Sequence, residues 1–89
     1  MKIIQYETES ETLKAIAHPL RLKLLDMLVK DECCVTDIAR IAGMPQSTIS
    51  QNLGILKKAG VIQSYKSGVK TCYSIKNDKI IEILAILRK

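Results

Sequence analysis

Residues 34–60, CVTDIARIAGMPQSTISQNLGILKKAG, decide the reading of this chain. A short apolar-periodic segment runs to Ala42. Gly43 suits a helical C-terminal stop, and Pro45 suits the entry to a new helix. Cys34 or Thr36 would cap the first helix. The second is expected over Gln46–Ala59, ended by Gly60, with Ile49, Leu53 and Leu56 inward at steps of four and three. Two helices joined by so tight a turn have the layout of a helix-turn-helix, whose second helix can enter the major groove of DNA. The polar residues of that second helix, Gln46, Ser47, Thr48, Ser50, Gln51 and Asn52, are short and able to pair with base edges. An ordinary helical hairpin with a solvated Ser/Gln face would look the same over this segment alone.

The flanks carry the reading outward. On the C-terminal side, 61–66 and 69–75 are rich in β-branched residues and tyrosine, with Ser67-Gly68 between them as a two-residue turn. Lys66 and Lys70 flank that turn and would form a basic tip able to hold flanking phosphates or enter the minor groove. Asn77-Asp78 can cap a last helix that is apolar on more than one face: Ile80, Ile81, Ile83, Leu84, Ile86 and Leu87 exceed one amphipathic stripe. Ile80, Ile83, Leu84 and Leu87 are therefore expected to form a homodimer interface. On the N-terminal side, Thr8 followed by Glu11 fits a capping box opening a first helix with Leu13, Ile16 and Ala17. Pro19 opens the next helix, whose apolar stripe is Leu20, Leu24, Leu25 and Leu28. The fold class expected is mainly α with a β-hairpin wing (α+β): a single domain over 1–89, a winged helix-turn-helix of about five helices and two antiparallel strands.

Composition is consistent with this. Eighty-nine residues make one domain whose core alone is modest, so a dimer interface would help it. With no Trp or Phe, the core must be built from Leu, Ile, Val, Ala and Met. The net charge of +5 is uneven: residues 1–37 hold five basic and seven acidic side chains, residues 38–89 nine and two. No acidic residue lies between Asp37 and Asp78. A basic half free of carboxylates suits a phosphate backbone. No apolar run approaches the roughly 20 residues that span a bilayer, and the first residues lack a signal-peptide pattern. The expectation is a cytoplasmic protein with double-stranded DNA and itself as partners, no membrane association, no small-molecule substrate and no cofactor. Catalysis is not expected, because His18 has no nucleophile and orienting acid beside it in a motif and no Gly-rich phosphate loop is present.

Three separated stretches, LKAIAHPLRLKLLDML at 13–28, CCVTDIARIAGMPQSTISQNLGILKKAGVI at 33–62 and YKSGVKTCYSI at 65–75, together resemble the ArsR/SmtB family of bacterial repressors. The resemblance covers roughly residues 13–75. It implies a winged helix dimer built through the first and last helices, repressing transcription until an inducer binds. It also implies that Gln46, Ser47, Ser50 and Gln51 face DNA. Asn52 stands where many members have His, and Val69 where a basic residue is frequent. Of the family's Cys-Val-Cys metal motif, Cys34 and Val35 are present, but Thr36 replaces the second thiolate. The zinc site of the last helix lacks its His, since the only histidine is His18, read here as structural. No metal site is therefore expected.

Cys33, Cys34 and Cys72 leave three readings open. They are packing residues, a thiol sensor of oxidants or persulfides, or soft ligands for a metalloid. A start-of-helix position would favour Cys34 as the attacking thiolate. A bond between the adjacent Cys33 and Cys34 would be strained, so Cys72 is the better partner if the fold brings it near. The function expected is a sequence-specific, homodimeric repressor on an inverted-repeat operator. The alternatives are a thiol-responsive repressor and a winged-helix protein-interaction module without DNA binding.

Overall fold

A computed structural model describes all residues except Met1, Lys2, Glu32 and the side chain of Cys33. The chain folds as α1 (Ile3–Ile16), α2 (Pro19–Lys30), β1 (Cys33–Cys34), α3 (Val35–Ala42), α4 (Gln46–Lys58), β2 (Ile62–Ser67), β3 (Lys70–Ile75) and α5 (Lys79–Leu87). Among the described residues, five helices accompany a small antiparallel sheet with strand order β1-β3-β2. This is the expected winged helix-turn-helix, with a short third strand added.

The core is aliphatic, as a chain without Phe or Trp requires. Leu24, Leu25 and Leu28 of α2 meet Ile38 of α3, Ile49, Leu53 and Leu56 of α4, Val61 and Ile62 at the root of β2, and Ile80 and Leu84 of α5. The stripes on α2 and α4 are those that helical periodicity selects. His18 is structural: it is the N-cap of α2, and its Nδ1 accepts a hydrogen bond from the Leu20 amide at 3.1 Å. Pro19 follows in the first turn, where its missing N–H costs nothing.

The helix-turn-helix forms as its punctuation dictates. Gly43 closes α3 in the left-handed region at φ 67°, a conformation costly for a side chain with a Cβ. Its amide reaches the Arg40 carbonyl at 3.3 Å, and the Met44 amide reaches that of Ala39 at 3.2 Å. Pro45 is the N-cap residue of α4. At the far end, the Val61 carbonyl accepts from the Lys76 and Asn77 amides at 3.0 and 3.2 Å, closing the base of the wing.

Three details differ from expectation. α1 begins at Ile3, so Thr8 is inside the helix rather than capping it, and its hydroxyl donates to the Ile4 carbonyl at 3.0 Å. The hairpin turn is Gly68-Val69, one residue later than Ser67-Gly68, because Ser67 pairs with Lys70. Gly68 at φ 64° takes the first turn position, as in the two-residue turns that need a glycine there. β1 is an addition to the expected elements: Cys33 and Cys34 pair with Tyr73 and Cys72 of β3. Among the described residues, no helix is long and apolar enough to cross a membrane.

Candidate nucleic-acid interface

The polar stretch of α4 divides into two faces. Gln46, Ser47, Ser50, Gln51 and Gly54 are exposed and follow one another at helical spacing along one side. Ile49, Leu53 and Leu56 occupy the opposite side, fully buried against the other helices. This apolar anchor holds the outer stripe at a fixed orientation. No acidic side chain lies on α4, so nothing there opposes a polyanion. The stripe begins at the helix's amino end, where free amides and the helix dipole favour a phosphate.

Two expected readers are placed differently. Thr48 and Asn52 are half-buried. The Asn52 side-chain amide donates to the Thr48 carbonyl at 2.8 Å, and its Oδ1 accepts from Arg21 at 3.3 Å. Arg21 also donates through Nε to the Ala15 carbonyl at 2.6 Å. Arg21 therefore bridges the end of α1 to the middle of α4. Sequence reasoning does not single it out as a site residue, since a polar pair 31 positions apart leaves no periodic signal.

The wing follows α4 in the chain, and its strand β2 packs on α4. Lys66 and Lys70 are exposed near the tip of the β2–β3 hairpin, and Lys66 Nζ donates to the Thr71 hydroxyl at 2.9 Å. The turn itself projects Val69, which is 97% exposed. Lys57 and Lys58 add two more exposed cations at the end of α4.

The remaining expected residues are distributed between core and surface. Ile80 and Leu84 are buried in the core of their own chain, which corrects their assignment to a free interface. Ile83 is half-buried, and Leu87 is exposed together with Ile81 and Ile86. On α1, Ile3, Ile4, Tyr6 and Leu13 are exposed apolar side chains. Cys34 and Cys72 form a disulfide. The side chain of Cys33, the third expected thiol, lies outside the described residues. No group of three or more His, Cys, Asp or Glu side chains that could hold a metal ion occurs among the described residues.

Comparison with known proteins agrees with this geometry. Residues 18–64 match the family model described as bacterial regulatory protein, arsR family. The transcriptional repressor PagR of Bacillus anthracis is 36% identical over 88 residues, covering 98% of this chain and 88% of PagR. Its crystal structure superposes with a TM-score of 0.88, over 97% of this chain and 99% of that one, at 37% identity. The cadmium resistance regulator CadC of Listeria innocua is 39% identical over 88 residues, covering 96% of this chain and 74% of CadC. A homodimeric winged helix-turn-helix DNA-binding domain from Mycobacterium bovis, a possible ArsR-family regulator, superposes with a TM-score of 0.89 at 29% identity, over 97% of this chain and 80% of that one.

Proposed function

The chain belongs to the arsR family of bacterial regulatory proteins, and from that premise we propose that it is a repressor that binds an inverted-repeat operator as a homodimer. It is a DNA-binding transcriptional regulator with a winged helix-turn-helix; the base readers, the wing contacts and the assembly are our reading. The observation that carries it is the exposed stripe Gln46, Ser47, Ser50 and Gln51 on α4, backed by a fully buried apolar face, in a chain whose hairpin carries the exposed Lys66 and Lys70. Such a stripe laid in the major groove offers hydroxyls and amides to base edges, while Lys66 and Lys70 neutralise flanking phosphates. Thr48 supports the stripe from behind through its backbone bond to Asn52.

Self-association is supported by the homodimeric state of the Mycobacterium bovis domain and by the apolar residues that α1 and α5 leave exposed. A two-fold protein matches a two-fold site with half-sites about one helical turn apart. No catalytic role is proposed.

The test separates base reading from phosphate attraction. Labelled duplex from upstream of the chain's own gene is titrated against random duplex at several salt concentrations. Ser50→Ala or Gln46→Ala is expected to reduce preference for the specific duplex by about 1–3 kcal/mol per lost contact. Lys66→Ala and Lys70→Ala are expected to weaken both duplexes together and flatten the salt dependence. Indistinguishable behaviour of the two sets would refute the assigned roles. Salt-independent binding, or none, would refute the DNA reading itself.

A further inference from the structure

The Cys34–Cys72 disulfide spans 38 residues and joins the two parts of the molecule that this reading sets against DNA. Cys34 ends β1 and is the N-cap residue of α3, the first helix of the helix-turn-helix. Cys72 lies in β3, the middle strand of the sheet, opposite Cys34 on one side and Tyr65 of β2 on the other. The bond therefore adds a covalent tie between the helix-turn-helix and the wing. Besides this bond, the described residues join the wing to the helices through the two residue pairs of β1 and through packing of β3 on α2 and α3 and of β2 on α4.

The two cysteines are unequally exposed. Cys72 is 3% exposed, whereas Cys34 is half-buried at a helix start. The amino end of a helix favours an anion, and the thiolate is the reactive form of cysteine. Cys34 is thus the cysteine more open to a solvent-borne reagent, and Cys72 the partner already in place to close the bond.

We propose that Cys34 and Cys72 form a reversible dithiol–disulfide site for peroxide-class oxidants, and that its closure sets the grip of the wing on DNA. In the forward step the Cys34 thiolate attacks one peroxide oxygen and the O–O bond breaks. Cys34 becomes a sulfenic acid, and the departing hydroxide takes a proton to leave as water. The Cys72 sulfur then attacks the Cys34 sulfur, forming the S–S bond and expelling the second oxygen, which leaves as water with the Cys72 proton. Two electrons pass from the thiols to the peroxide. A small dithiol reductant reverses the process through a mixed disulfide, returning two electrons and two protons. The closed form fixes Lys66 and Lys70 relative to α4. The open form lacks that tie, so the outer part of the wing can shift against the helix-turn-helix while its root stays packed, and its phosphate contacts weaken while the stripe on α4 is unchanged.

This inference rests on the DNA-binding reading above, and the experiment keeps the two apart. Purified protein is oxidised with hydrogen peroxide or reduced with dithiothreitol. Its thiol state is read by intact mass and by the peptide linking Cys34 to Cys72, and both forms are titrated with upstream and random duplex. The expected result is loss of two hydrogens on oxidation, reversed by dithiothreitol, and affinity lower in the reduced form by on the order of three- to tenfold on both duplexes, as for lost phosphate contacts. The double variant Lys66→Ala, Lys70→Ala is expected to show less than about a twofold difference between the forms, since the contacts being controlled are gone. Cys33→Ser should respond like the parent chain, and Cys34→Ser should not respond.

Failure to form the linked peptide overturns the site. Equal affinity of the two forms, or a redox difference that persists without the wing lysines, overturns its coupling to the wing. The main comparison uses the unsubstituted chain, so misfolding of a cysteine variant does not decide it. If the bond opens and closes but neither form binds DNA, the DNA reading fails and the coupling with it. DNA binding that ignores the thiol state refutes this inference alone.

Discussion

Asp26 gathers two cations at the seam between α2 and α5: Arg88 donates to it through Nε at 3.1 Å, and Lys30 lies at 3.2 Å. The hydrogen bond from Arg88 is the larger influence and that from Lys30 the next, and together they hold the carboxyl below its ordinary value. A carboxylate whose folded value is depressed contributes stability that is complete above its unfolded value. That contribution is lost as pH falls through the folded value. Asp26→Asn is therefore expected to melt below the parent chain at neutral pH, with the gap closing as pH drops below about 4, the ordinary carboxylate range. Denaturant titrations of both chains at neutral and acid pH check it; a gap independent of pH would mean that the carboxylate charge is not what matters. The pair sits near the surface, so the effect is small and salt-sensitive. Asp26 and Arg88 are 62 positions apart, and nothing local in the sequence pairs them. The same holds for Asn52. Its residue type suited base reading, but its amide is engaged by Thr48 and Arg21 because α2 crosses behind that part of α4. Which polar residues of a helix face outward is set by a neighbouring element, and residue type alone does not report it.

α4 carries a glycine where a helix gains nothing from one. Gly54 is exposed, at the end of the stripe Gln46, Ser47, Ser50 and Gln51, and a Cβ built on it meets nothing within 4 Å. Inside the free protein, Gly54→Ala is expected to stabilise the chain by about 1 kcal/mol, the helix-propensity difference. Against DNA the expectation is opposite. If this stripe lies in the groove, an added methyl at its last position holds the helix off the sugar–phosphate wall, and affinity falls. A thermal melt and a DNA titration of the same variant check both halves. Affinity rising together with stability would mean that this face does not meet DNA. The element boundaries around α4 are legible in the sequence because Gly43, Pro45 and Gly60 are strong local punctuation. The wing is legible as two strands but not in register. Its outer face is polar and exposed, so the apolar alternation that pins register is weak, and the turn falls one residue later than the sequence suggests. β1 leaves no signal because two residues have no period. The start of α1 is hidden because the residues from Ile3 to Ser10 carry no apolar stripe facing the core.

At the scale of the molecule, that missing stripe is informative. Of the 14 residues of α1, only Ala15 and Ile16 are buried. A helix of about that length is marginal in water by itself, and most helical stability in proteins comes from packing an apolar face. The outward residues of α1 nevertheless include Ile3, Ile4, Tyr6 and Leu13, while α5 leaves Ile81, Ile86 and Leu87 uncovered. Between the two helices runs a groove of about 440 Å³, lined in part by Thr12, Leu13, Ile80 and Ile83. A second copy can cover both sets at once, since a two-fold axis presents the α1 and α5 of one protomer to those of its partner. Two consequences are expected. The apparent melting temperature should rise with protein concentration, as it does when association occurs only in the folded state. Leu87→Glu, at a position 60% exposed and therefore costless to the core, should shift the protein to a monomer and lower affinity for a two-half-site duplex far more than for a single half-site. Sedimentation together with titration on both duplexes checks this. A monomeric parent chain at micromolar concentration, melting at a concentration-independent temperature, would overturn the dimer. A dimeric Leu87→Glu variant would instead move the interface away from the end of α5, leaving the α1 residues to carry it.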